Sequence, residues 1–378
     1  MRRRASRRGN VLVLTALLIV AMFALLAFAV DLGYLAVARV ELQRTADAAA
    51  TAATWDLLDE GALRRQANPS LVQAEARATA AQYAGQNIVV GTAPALAQSD
   101  VVVGYLANPM SPAGAISVNN PSRANAVQIQ VRRTSEQNGQ VPFFFARVLG
   151  HNGAAAQAMA TAAFIDNFAG FQAPSDGSNV DLLPFALDVD TWNALVNNGV
   201  GTDNWRYDAA TGAVASGADG ILEVNLYPQG TGSPGNRGTV DIGSANNSTC
   251  DIARQILHGI SPQDLACMGG KIEFNAQGKL YLNGDTGISA GVKDELAAIK
   301  GQPRIIPIFE AVSGNGNNAN YTIVKFVGVR IMDVKLTGSM SSKRVIIQPA
   351  MVRAVGGIPS TADPPVSTYV HSPVWLVR

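Results

Sequence analysis

The residues best able to do chemistry in this chain are three histidines, two cysteines and scattered carboxylates. His151, His258 and His371 lie far apart, and none shares a short window with a cysteine or another histidine. A zinc site built from them would need long-range convergence that no spacing announces, so each is expected as a surface or helix-capping residue. Asp188 and Asp190, two apart, would place paired carboxylates on one face of a strand. Acid–base catalysis needs one of such a pair with a raised pKa, and these two read better as solvated turn residues. Gly230–Gly238 and Ser313–Asn320 (SGNGNNAN) are glycine-rich but lack the lysine and following helix that phosphate binding requires. The second stretch is expected as a hairpin tip, with ion or sugar binding through its asparagines as the alternative. No GxSxG elbow, P-loop or GxGxxG follows a strand. No catalytic residue, metal ligand or cofactor is assigned, and the chain is expected not to be an enzyme.

Cys250 and Cys267 are too few for a disulfide scaffold, and their spacing is not that of a CxxC pair. In an oxidising compartment they are expected to form one disulfide closing a short loop, worth about 3 kcal/mol by the chain-entropy model. Two independent thiols are the alternative. Net charge is +1, but five arginines (Arg2, Arg3, Arg4, Arg7 and Arg8) fall in the first eight residues. The remainder carries 24 basic against 28 acidic residues. A mildly acidic chain lacks the basic face that displaces counterions from phosphates, which argues against nucleic acid as a partner.

The arginine cluster makes sense beside a membrane. Val11 to Val30 (VLVLTALLIVAMFALLAFAV) is a run of twenty residues with no charge, Gly or Pro. At about 1.5 Å per residue it spans roughly 30 Å, the thickness of a bilayer's hydrocarbon core. Arg7 and Arg8 before the run set the N-terminus in the cytoplasm, and Asp31 closes the run on the far side. The bulk of the chain is therefore expected outside the cytoplasm, anchored by a single pass. Two processing routes compete with a retained anchor: cleavage after Gly9, where a basic leader ends, and removal of the whole segment at Ala27-Phe28-Ala29. Beyond Asp31 the helix is expected to continue. From Leu32 to Glu60 there is no Pro, and Leu35, Arg39, Leu42, Ala46 and Ala49 recur at helical spacing. Glu41 and Arg44 are placed to pair on its outer face.

Gly9-Asn10 before the apolar run, Asp31 and Gly33 after it, then Gln43 and Asp47 within Ala46-Asp47-Ala48-Ala49-Ala50 give a specific pattern. It resembles the N-terminal segment of TadE/TadG-like proteins of the tight-adherence (Flp) pilus assembly systems of bacteria, over about the first 55 residues. The resemblance implies an envelope protein of a pilus assembly or secretion apparatus. Its partners would be the lipid bilayer and other pilus-assembly or envelope proteins, with self-association through the N-terminal helix as a further option. Two positions depart from the family. Leu14 stands where prepilin-peptidase substrates carry Glu. Lys335-Leu336-Thr337-Gly338-Ser339-Met340 has Lys where a von Willebrand A metal loop has Asp, so a turn is expected there.

The fold class expected is α+β: a transmembrane helix extended into a long helix, a mixed α/β segment, and a β-rich outer domain. The chain divides at 1–60, 61–171, a linker at 172–178 (QAPSDGS) and 179–378. Ser70 to Tyr83 reads as a second helix capped by Ser70. Strands are expected at Asp100–Leu106, Ala124–Arg133, Leu222–Tyr227, Arg304–Val312, Tyr321–Val334 and Lys343–Val352. Ala154 to Ile165 fits helix or strand. Ile272–Phe274 and Lys279–Leu282 flank Asn275-Ala276-Gln277-Gly278, a hairpin signal. Short helices are expected near Asp251–His258 and Gly291–Lys300. The function expected is an envelope scaffold or interaction module of pilus assembly. A stand-alone envelope protein or adhesin sharing only the anchor is the alternative.

Overall fold

One unbroken helix, α1 (Asn10–Trp55), begins the computed structural model, which describes residues 10–111, 114–228, 238–243, 248–314 and 316–377. The absence of Pro and the density of Ala and Leu let the helix run for 46 residues. Its two halves have different surroundings. Every large apolar side chain from Val11 to Val30 is 43–77% exposed, so this stretch lies largely outside the folded body. It is long and apolar enough to cross a bilayer. From Asp31 onward the helix enters a protein core through Leu35, Ala38, Leu42, Ala46, Ala49, Ala50 and Ala53. Ala38 occupies the stripe position expected for Arg39, which is exposed, because a guanidinium is costly to bury without a partner. Glu41 does not pair with Arg44; its carboxylate accepts the Val90 amide at 2.6 Å.

Helix α2 (Pro69–Gln86) packs on α1 through Ala76, Ala80 and Ala84. Its cap is Asn68, whose Oδ1 accepts the Leu71 amide, and Pro69 takes the first helical position. The expected cap, Ser70, lies inside the first turn because the free amides there are already satisfied one residue earlier. Across α1 lies an antiparallel sheet ordered Val101–Gly104, Ala126–Arg133, Ala156–Ala163 and Trp375–Leu376. Ala156–Ala163 is thus strand rather than helix, aligned residue for residue with Ala126–Arg133. The Trp375–Leu376 strand brings the C-terminal end of the chain back to the sheet that holds α1.

The β-rich remainder is built on a long strand, Ala319–Lys335. Its first half pairs with Leu280–Asp285, its second half with Arg344–Pro349, and Pro303–Ser313 pairs along most of it. Continuing through Gly238–Val240 and Phe185–Asp188 back to Pro303–Ser313, the ladder closes on itself as a small barrel. Phe171, Tyr321, Phe326 and Ile305 fill one side of this sheet; Phe185, Trp192, Ile308 and Val329 fill the other. Helices α3 (Val189–Asn198), α4 (Thr249–His258), α5 (Pro262–Cys267) and α6 (Lys293–Ala298) decorate it. Asp188 is the N-cap of α3, accepting the Thr191 amide, and Asp190 sits in its first turn, so the pair belongs to a helix start rather than a strand face. The turn at Asn275–Gly278 forms, but its arms do not make a hairpin. Lys271–Glu273 pairs with Phe168–Gln172, and Leu280–Asp285 joins the barrel. Turn chemistry is local, whereas strand partnership is decided by which sheet needs an edge covered.

Close packing of small side chains makes the α1–α2–sheet core sensitive to added volume. Ala46→Leu is expected to destabilise the chain by about 1–3 kcal/mol, read as a lower urea midpoint in detergent. The change should leave helix content unaltered by circular dichroism.

Candidate functional site

Asp31, the first polar residue beyond the apolar run, is buried. Its Oδ1 accepts the Phe144 amide at 2.7 Å and its Oδ2 the Ala146 amide at 2.8 Å, with the Phe145 amide shared between them at 3.3 and 3.2 Å. Burial alone would raise the pKa of this carboxyl. The bonds from Phe144, Ala146 and Phe145, helped by the charge of Arg147, outweigh that and hold it below the usual carboxylate range. The amides belong to a loop set up by local rules. Val141–Pro142 pairs with Gly153–Ala154, a 3-10 turn spans Ala146–Leu149, and Gly150 closes it at φ 85°. One turn along α1, the Tyr34 ring meets Phe144 edge-on at 5.0 Å. Between loop and helix runs an apolar cleft of about 380 Å³, lined in part by Phe23, Ala27, Phe28, Phe145, Val148 and Leu149.

The other pattern residues lie further up the same helix. Gln43 Nε2 donates to Asp47 Oδ1 at 2.8 Å and to the Met159 carbonyl at 3.3 Å, which ties α1 to the strand beneath it. Gly33 is exposed with open space where a Cβ would stand. Val11 and Val30 bound the exposed stretch, and Asn10 begins the helix. Arg7, Arg8 and Gly9 lie outside the described residues.

A second cleft, of about 340 Å³, opens where α1 ends against the β-rich region. Asp166, Lys325, Tyr369 and His371 line it, with Tyr369 in the left-handed backbone region at φ 59°. Desolvation pushes Asp166 and Tyr369 up and Lys325 and His371 down, so each neutral form is favoured. His371 is buried rather than at the surface. Its ring packs edge-on against Trp55 and Phe164, and Nδ1 lies 2.9 Å from the Ser372 carbonyl. Sequence reasoning missed this cluster because its members are dispersed and join only when the C-terminal segment returns to α1.

The remaining assignments stand apart. His151 is exposed, and His258 ends α4. Cys250 and Cys267 are both free and exposed, not joined as expected. The segments that carry them are held instead by Arg254, which donates to both carboxylate oxygens of Asp264 at 2.9 and 2.7 Å. Of Ser313–Asn320, Ser313 ends one of the two longest strands, Ala319 and Asn320 begin the other, Gly316 between them is tied to Thr286, and Asn315 lies outside the described residues. Lys335–Met340 turns between strands. Among the described residues no group of three His, Cys, Asp or Glu is arranged to hold a metal ion.

Residues 9–63 match the family model described as "Putative Flp pilus-assembly TadE/G-like". The match takes in the whole of α1 and stops before α2. The N-terminal segment of this chain is therefore TadE/G-like, with Asp31, Gly33, Gln43 and Asp47 all inside it. No curated protein and no solved structure matches the chain.

Two outcomes follow from the geometry. In Asp31→Ala the amides of Phe144, Phe145 and Ala146 lose their acceptor and are expected to exchange hydrogen faster, while those of Ala126–Arg133 keep their protection. His371 contributes to the pH dependence of the second cleft. Its folded pKa lies below the ordinary histidine value, so as pH falls below about 6.5 the unfolded chain takes up a proton first and stability drops. Thermal melts in detergent should show a smaller loss over that range for His371→Asn than for the parent.

Proposed function

We propose that this chain is a membrane-tethered, non-catalytic subunit of a Flp/Tad-type pilus assembly apparatus. Its N-terminus is cytoplasmic and its β-rich bulk lies outside. The helix holds the molecule in place beside neighbouring helices, and the outer sheets present loops to envelope partners.

The observation that carries this reading is the uncovered face of α1. Above Asp31, Gly33, Ala36, Val37 and Val40 are all exposed, at spacings of three and four that keep them on one side. Val40 is 69% exposed although it lies well past the apolar run. The protein covers the opposite side of the same turns with Leu35, Ala38 and Leu42. An apolar helical face left open beside a covered one is the arrangement that helix-to-helix assembly uses. The TadE/G-like match over this segment and the arginines ahead of it support the partners and the orientation.

A photocrosslinking residue at Val40 is expected to trap another pilus-assembly protein or a second copy in living cells. The same residue at Val200, on the β-rich surface, should not give that product. Crosslinks at Val40 to lipid alone, with pilus formation intact after deletion of the gene, would remove the assembly role. Orientation has its own readout in the exposed thiols. A membrane-impermeant maleimide should label Cys250 and Cys267 in reduced, intact spheroplasts, and labelling only after lysis would invert the topology.

A further inference from the structure

We propose that the loop Phe143–Gly150 is a second membrane contact, seated at the boundary between headgroups and acyl chains in the same leaflet where α1 emerges. The proposal rests on the reading of Val11–Val30 as a membrane anchor.

Depth is the first argument. The cleft beside the loop is lined on its helix side by Phe23, Ala24, Ala27 and Phe28 within the apolar run, and by Asp31 and Leu32 at its upper end. At about 1.5 Å per residue the first four lie roughly 5–12 Å below Asp31 along the helix. Phe143, Phe145, Val148 and Leu149 line the same cleft, which runs from Asp31 down into that range. Apolar groups of interfacial segments settle about 5–10 Å into the boundary region.

Exposure is the second. Val148 is 88% exposed, Leu149 80%, Phe144 56% and Phe145 48%. In water this would be a contiguous apolar patch with nothing over it; beside the exposed Val11–Leu32 face it extends one lipid-facing surface. Arg147 on the same turn is exposed, and its long stem suits a guanidinium that reaches up to phosphate oxygens.

Backbone satisfaction is the third. Backbone that enters lipid must find its hydrogen-bond partners within the protein. The amides of Phe144, Phe145 and Ala146 go to Asp31. Those of Phe143, Val148, Gly150 and His151 go to the carbonyls of Asn152, Phe145, Arg147 and Ala146. Asp31 meanwhile has its charge met by those amides, so no bare carboxylate faces the bilayer.

The test uses the full chain, with Cys250→Ser and Cys267→Ser, reconstituted into phosphatidylcholine–phosphatidylglycerol vesicles. Single cysteines at Val148, Leu149, Leu18 or Val200 carry an environment-sensitive fluorophore. Substitution at such exposed sites leaves the core untouched. Labels at Val148 and Leu149 are expected to emit blue-shifted light and to be quenched several-fold better by lipids spin-labelled near the headgroup than by aqueous iodide. The Leu18 label should respond to deep spin labels and the Val200 label to iodide alone. If Leu18 reports lipid while Val148 and Leu149 behave like Val200, the loop does not touch the membrane and the anchor stands. Should Leu18 also report water, the anchor reading itself falls. Protection of Val148 from both quenchers, with disulfide crosslinks between copies, would overturn the proposal in favour of a protein contact.

Discussion

The Asp31 carboxylate gathers three successive backbone amides at the point where α1 leaves its apolar run. A carboxylate there needs donors, because burial without them would neutralise it or expel it. The loop's amides need an acceptor, because backbone N–H groups left unpaired away from water are costly. Each group meets the other's requirement. The consequence is a fixed relation between helix and loop, and with it a defined level at which the folded body begins. Below that level, among the described residues, only the Phe143–Leu149 loop lies beside the helix; above it, one face is covered by protein.

What covers it is a core built largely of alanine. Ala38, Ala46, Ala49, Ala50 and Ala53 of α1 face Ala76, Ala80 and Ala84 of α2 and Ala160 and Ala162 of the sheet. Such small side chains bury little area each but bring backbones close, so polar side chains reach across. Thr54 Oγ1 donates to Ala50 of its own helix and lies within 3.3 Å of the Ala162 carbonyl on the strand. Gln43 bridges to the same strand at Met159. The β-rich region packs differently, with large aromatic and branched side chains on both faces of one long, shared strand. The two regions meet where Trp375–Leu376 joins the first sheet and where Tyr369 donates to the Ala62 carbonyl.

The parts of the candidate site that could be read in advance were those written in short-range periodicity. The exposed span of α1, its continuation past Gly33, and the motif residues Asp31, Gln43 and Asp47 all sit on one uninterrupted helix, where spacing translates directly into position. The partner of Asp31 could not be read, because the Phe144–Ala146 amides lie more than a hundred residues away and carry no side-chain signal. His371 illustrates the same limit: it and its neighbours Trp55 and Phe164 come from three separate stretches of chain.

By itself the sequence determined the long helix, the boundary at Asp31, the kinship of residues 9–63 and the positions of most strands, since each is a local property of propensity, hydropathy or turn chemistry. Tertiary structure alone decided which strands pair, why the Asn275–Gly278 turn is not a hairpin, and that the helix beyond its apolar run is half core and half open face. It also brought an apolar loop beside the apolar run of the helix. Those outcomes depend on contacts between distant residues, and a contact is selected by the shape and hydrogen-bonding needs of both partners at once, which neither segment encodes alone.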